Sequence, residues 1–134
     1  MSEPRTIPIQ CPNCKWETEG TVYDAVNAVL EPKRKEELFK GEINAFHCEQ
    51  CGFQGIIPHP FLYLDPERQF CVQFYPPSYL DDSIFLGGFL KDGSIRFSIT
   101  NEEDIPAYIR QWHIVFDLDE MVRYIIFRER IYKP

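Results

Sequence analysis

Two pairs of cysteines, Cys11-Pro12-Asn13-Cys14 and Cys48-Glu49-Gln50-Cys51, share one spacing and constrain this chain more than any other feature. Two residues between paired cysteines allow a tight turn that aims both sulfurs at one ion. Four thiolates at about 2.3 Å in a tetrahedron make a structural zinc site. Pro12, Asn13 and Gly52 are turn-forming residues placed where the bends are needed. The expected ligands are therefore Cys11, Cys14, Cys48 and Cys51, holding one structural Zn2+ per chain. Thirty-three residues separate Cys14 from Cys48. Simple double-CxxC sites have roughly 15–20, so this insert carries structure of its own.

Such pairs have two other uses. Disulfides suit secreted proteins, and the stretch Met1–Gln10 has neither the basic patch nor the apolar run of a signal peptide, so a cytoplasmic location with reduced thiols is expected. A thioredoxin-like redox pair needs its first cysteine at a helix N-terminus. Neither Lys15-Trp16-Glu17-Thr18-Glu19 nor Phe53-Gln54-Gly55-Ile56 continues as an apolar-striped helix. His47 adjoins Cys48, but neighbours in an extended segment point to opposite faces, so it should aim away from the metal. Cys71, inside the strand-like run Gln69–Phe74, reads as a small core hydrophobe.

The rest of the chain has enough apolar surface for one core. Its 134 residues are 44% hydrophobic and 15% aromatic, which suits a single domain, here 1–134. The ribbon occupies about 7–57, and aromatic strands with a C-terminal helix occupy about 58–134. No apolar run approaches a membrane span. Fourteen basic against 21 acidic residues give a net charge of −7. Residues 1–60 alone hold six basic and nine acidic side chains, a net of −3 before four thiolates and one zinc add about −2 more. That balance opposes a phosphate-binding surface.

Periodicity places the elements. Residues 7–22 read as strand, knuckle and returning strand. Tyr23–Leu30 fits either period and is assigned to strand, because valines are β-branched and Pro32 follows. Pro32 starts a surface helix that Gly41 ends, with Lys33/Glu37 and Glu36/Lys40 at i,i+4 spacing. Ile43–His47 and Phe53–Ile57 flank the second knuckle. Phe61–Leu64 and Phe70–Tyr75 are strands, and Pro76-Pro77 breaks the run. Ile84–Leu90 and Ile95–Thr100 flank Asp92-Gly93 as a hairpin. The acidic run Asn101–Asp104 is read as helix capping, with Asp104 as N-cap before Pro106, rather than as a carboxylate site. Asp117 and Glu120 have capping-box spacing, and Leu118, Met121, Val122, Ile125 and Ile126 then follow as the apolar stripe of a helix. The expected fold is α+β: a four-cysteine ribbon continuous with an antiparallel sheet that the last helix backs.

The CPxC knuckle, the helix after a proline, the return Gly-Glu-Ile-Asn-Ala-Phe-His-Cys into Cys-Gly, and the run Pro-Phe-Leu-Tyr-Leu-Asp-Pro-Glu-Arg-Gln-Phe together resemble the CpXC domain family of bacteria and archaea. Arg110–Met121 resembles that family's closing strand and helix. Glu49 stands where the family often has proline, and residues 77–104 have no matched counterpart. The resemblance implies a prokaryotic zinc ribbon and names no activity.

Three functions are then open. A zinc-stabilised structural and protein-interaction module, with a protein partner or self-association, fits four ligands that leave no position for substrate. A nucleic-acid-binding ribbon is the alternative, against the charge count. An enzyme ranks third: no GxxxxGK[ST], GxSxG, HExxH or GxGxxG pattern occurs. His59, His113 and Cys71 have no partner that sequence supplies.

Overall fold

Each cysteine pair closes the end of its own antiparallel ribbon. In the computed structural model, which describes residues 3–93, 108 and 112–133, β1 (Arg5–Gln10) pairs with β2 (Glu17–Val22) from Arg5↔Val22 to Gln10↔Glu17. The first knuckle fills the turn. β4 (Ala45–His47) and β5 (Gln54–Ile56) pair likewise around the second. Between the ribbons lie the short strand β3 (Ala25–Asn27) and helix α1 (Pro32–Phe39).

Helix α1 begins on Pro32, whose missing N–H is one the first turn leaves unpaired in any case. It ends at Gly41, in the left-handed region at φ +73°, where Glu42 N–H reaches back to Glu37 O at 2.8 Å. Glu36 and Lys40 pair at 3.1 Å. The expected Lys33/Glu37 pair is not formed, because Glu37 is taken by Arg34 one turn back.

The core belongs to a four-stranded sheet in the order β3-β6-β7-β8, with β6 at Phe61–Asp65, β7 at Phe70–Phe74 and β8 at His113–Val115. All five β7 residues are buried, which marks it as a central strand. Asp65, fully buried, accepts from the Arg68 backbone and guanidinium, both at 3.0 Å, and so closes the β6–β7 turn. Helix α3 (Leu118–Tyr132) covers the sheet. Its Met121 and Ile125 are fully buried with Phe61, Tyr63, Phe70 and Val72. Asp117 caps α3 as expected, accepting from Asp119 N–H at 2.7 Å and Glu120 N–H at 3.3 Å. Arg128 lies over the Phe70 ring at 4.7 Å, and Lys35 of α1 pairs with Glu129 of α3. No helix among the described residues is long and apolar enough to cross a membrane.

The fold is α+β, with three corrections of detail. First, the sheet is mixed rather than antiparallel: only β6–β7 is antiparallel, while β3–β6 and β7–β8 are parallel. Parallel partners need long crossovers, and the chain supplies them between residues 27 and 61 and between 74 and 113. The ribbons form separate two-stranded ladders; the first runs into the sheet through Tyr23-Asp24 and the second through residues 57–60. Second, the strand expected over Tyr23–Leu30 is confined to Ala25–Asn27, because Asn27 Oδ1 accepts from the N–H groups of Val29 and Leu30 and turns the chain. Third, the expected strand Ile84–Leu90 opens instead as α2 (Ser83–Leu86). Asp82 caps it, accepting from Ile84 N–H at 2.9 Å and Phe85 N–H at 3.3 Å. The other hairpin arm, Ile95–Thr100, and the acidic run Asn101–Asp104 lie outside the described residues.

Candidate metal centre

The two knuckles have the same backbone construction. Cys11 N–H donates to Trp16 O and Cys48 N–H to Phe53 O, both at 2.8 Å. Lys15 N–H donates to Cys11 O and Gly52 N–H to Cys48 O, both at 2.9 Å. Each turn reverses through a left-handed residue directly after its second cysteine, Lys15 at φ +69° and Gly52 at φ +82°. Two residues between the sulfurs and one turned residue after them bring both thiols of each pair to the same side.

The ribbons are held against one another by side chains that sequence spacing did not reveal. Asn44, 5% exposed, accepts from Tyr23 N–H at 2.8 Å and donates to Tyr23 O at 3.1 Å, tying the second ribbon to the end of the first. Asp24 takes the Arg5 guanidinium at 2.7 and 2.8 Å and His59 Nε2 at 2.6 Å. Arg5 and then His59 hold the Asp24 carboxyl down at about 2, against the effect of burial.

As a result the ligand atoms of Cys11, Cys14, Cys48 and Cys51 all lie within 4.8 Å of one another. Across the knuckles, Cys11 Sγ is 3.7 Å from Cys51 Sγ and Cys14 Sγ is 3.5 Å from Cys48 Sγ. Sulfurs at about 2.3 Å from a shared tetrahedral ion stand about 3.8 Å apart. The two cross-knuckle distances match that spacing, and the four sulfurs are positioned to bind a metal ion. Cys11 and Cys48 are fully buried, and Cys14 and Cys51 are exposed.

Charge points the same way. Asn13 Nδ2 donates to Cys51 Sγ at 3.3 Å, and with the Phe53 N–H it lowers that thiol to about 6. Burial opposes ionisation of Cys11, but the N–H groups of Cys14 and Asn13 outweigh it and lower the thiol. Cys14 receives the Trp16 N–H, yet burial and its three neighbouring sulfurs push it up to about 12. Four thiolates this close repel, and a cation is what permits all four to ionise together.

His47 is exposed and outside the cluster, as expected. Cys71 is 2% exposed, donates to Tyr108 O at 3.4 Å and is raised to about 11 by burial. His59 is engaged by Asp24, and His113 stacks on Tyr124 with centroids 3.9 Å apart. The structure thus gives the three separate partners and does not assemble them into one site. An apolar groove between α1, β5 and α3, lined by Leu38, Ile43, Ile56, Leu118 and Val122, holds none of them.

The family model described as CpXC protein matches residues 9–131, nearly the whole chain and all four clustered cysteines. No curated protein and no solved structure matches.

Proposed function

The chain belongs to the CpXC family, and we propose that it is a zinc-stapled module whose task is to bind a protein partner. The four-sulfur cluster carries this reading. A tetrahedral ion with four thiolates has no open position for water or substrate, which is the pattern of structural zinc. Zn2+ is the proposed occupant because all-thiolate tetrahedra favour it among common ions. Such binding contributes on the order of 10 kcal/mol to folding. That is enough to join two ribbons whose ladders are otherwise separate.

Protein rather than nucleic acid is the proposed partner class. Half of the lysines and arginines among the described residues are matched by a carboxylate: Arg5 with Asp24, Arg34 with Glu37, Lys35 with Glu129, Lys40 with Glu36, Arg68 with Asp65, and Arg123 with Glu120. Paired cations on a chain of net charge −7 make a poor counter-surface for phosphates. Apolar side chains at the surface support a protein contact, notably Leu80, Ile84, Leu86 and Leu90.

Affinity capture of the tagged protein from a prokaryotic cytoplasm, with and without nuclease, tests the reading when complexes are weighed by native mass spectrometry. The expected result is a stoichiometric protein partner that survives nuclease and is lost on chelation. Material that co-elutes only while nucleic acid is intact overturns it in favour of the nucleic-acid reading.

A further inference from the structure

The centre has two exposed sulfurs, on Cys14 and Cys51, and the protein treats them differently. Cys51 receives two donors, the Phe53 backbone N–H and the Asn13 side-chain amide at 3.3 Å. Cys14 receives the Trp16 backbone N–H and, among the described residues, no side-chain N–H. The asymmetry originates in one residue. Asn13 sits between the cysteines of the first knuckle and reaches across to a sulfur of the second. Gln50, its counterpart between Cys48 and Cys51, makes no return contact to a sulfur among the described residues.

From this we propose that Asn13 is a positioning residue for the metal centre, clamping Cys51 from the opposite knuckle so that Cys14 is the ligand by which the centre opens. The proposal rests on the four-thiolate centre and goes beyond it by ranking the ligands. An N–H directed at a metal-bound thiolate takes up part of the charge on sulfur and fixes its orientation. Outer contacts of this kind affect metal retention by 10- to 100-fold in general. The same charge withdrawal makes a sulfur a weaker nucleophile toward electrophiles. Cys14 has fewer N–H donors and, like Cys51, is exposed, so it reacts first and releases its corner of the tetrahedron first.

The test is limited alkylation of the zinc-loaded protein with iodoacetamide, mapped by peptide mass spectrometry over time. At each site sulfur forms a bond to the methylene carbon and iodide leaves. The wild type is expected to label at Cys14 about tenfold faster than at Cys51. In Asn13→Ala and in Asn13→Asp, which keeps the turn-forming side chain but lacks the N–H, the two rates are expected to converge. Asn13→Gln restores part of the difference, and Gln50→Ala leaves it unchanged. The cobalt-loaded protein gives a second readout, a shift of the sulfur-to-cobalt charge-transfer band in Asn13→Ala but not in Gln50→Ala.

Buried Cys71 reports unfolding in the same samples: where it labels with the others, the wild-type ordering alone decides. Equal rates at Cys14 and Cys51 in the wild type, faster labelling of Cys51, or a ratio unmoved by Asn13→Asp overturns the proposal. A wild type that takes up neither zinc nor cobalt overturns the four-thiolate centre itself, which separates the two failures.

Discussion

Lys15 and Gly52 occupy the same place in the two knuckles, one residue after the second cysteine of each pair, and both have left-handed backbone, at φ +69° and +82°. Glycine adopts that conformation freely, whereas a residue with a Cβ is disfavoured there by about 1–2 kcal/mol. The second knuckle thus uses the residue suited to its turn, and the first holds a strained lysine.

Two opposite substitutions follow from that relationship. A Cβ at Gly52 meets nothing within 4 Å, so Gly52→Ala carries the backbone penalty alone and is expected to destabilise the holo protein by about 1 kcal/mol. Lys15→Gly relieves the same strain, partly offset by the freer unfolded chain, and is expected to be neutral or stabilising by up to about 1 kcal/mol. Urea melts at saturating zinc measure both. Loss of stability in Lys15→Gly comparable to that in Gly52→Ala contradicts the equivalence of the knuckles.

Asp24 gives a prediction in pH. Its carboxyl is held at about 2 by Arg5 and His59, below the ordinary value of about 3.9. A depressed folded-state value means that the stabilisation is complete above about pH 4 and is lost as pH falls toward 2. Half the side chain is exposed, so screening keeps the energy small. Carboxyl-carbon NMR titration is expected to find Asp24 still ionised where ordinary carboxylates are protonating. In Arg5→Gln the titration midpoint moves upward, toward the ordinary range. An ordinary titration in the wild type removes the Arg5–Asp24–His59 contact from the account of how the ribbon is anchored.

The helix and sheet form a core to which none of the four clustered cysteines belongs. Ile125→Ala is expected to cost about 2–5 kcal/mol by leaving a cavity under α3. Asp117→Ala is expected to cost about 1 kcal/mol by uncapping it. Neither should change the metal stoichiometry at 25 °C as long as the variant remains folded. Loss of metal from a folded Ile125→Ala variant means that the two halves are coupled more tightly than their separate ladders indicate.

What could be read ahead of the structure was what is local. The cysteine spacing, Pro32 and Gly41 at the ends of α1, the Asp117 cap and the Met121/Ile125 stripe each express a rule acting within a few residues, and each holds. The errors lie where long separations or competing local bonds decide. Parallel pairing of β3 with β6 depends on what the intervening chain folds into, and alternation cannot report strand direction. Ile84–Leu90 looked like a strand because its apolar residues outweighed the single carboxylate of Asp82, which in the structure bonds two N–H groups and starts a helix turn. At the metal centre the four sulfurs were legible, but the bond from Asn13 to Cys51 spans 38 positions. Asn13 read there only as a turn residue, and Lys15 gave no sign of its backbone.

The central claim is that Cys11, Cys14, Cys48 and Cys51 together hold one zinc ion. Native mass spectrometry of the purified chain, with elemental analysis of the same samples, tests it most directly across five serine variants. The account predicts one zinc per chain in the wild type and in Cys71→Ser, with reduced occupancy and a destabilised ribbon in Cys11→Ser, Cys14→Ser, Cys48→Ser and Cys51→Ser. Full zinc in Cys48→Ser, or loss of zinc in Cys71→Ser, contradicts it.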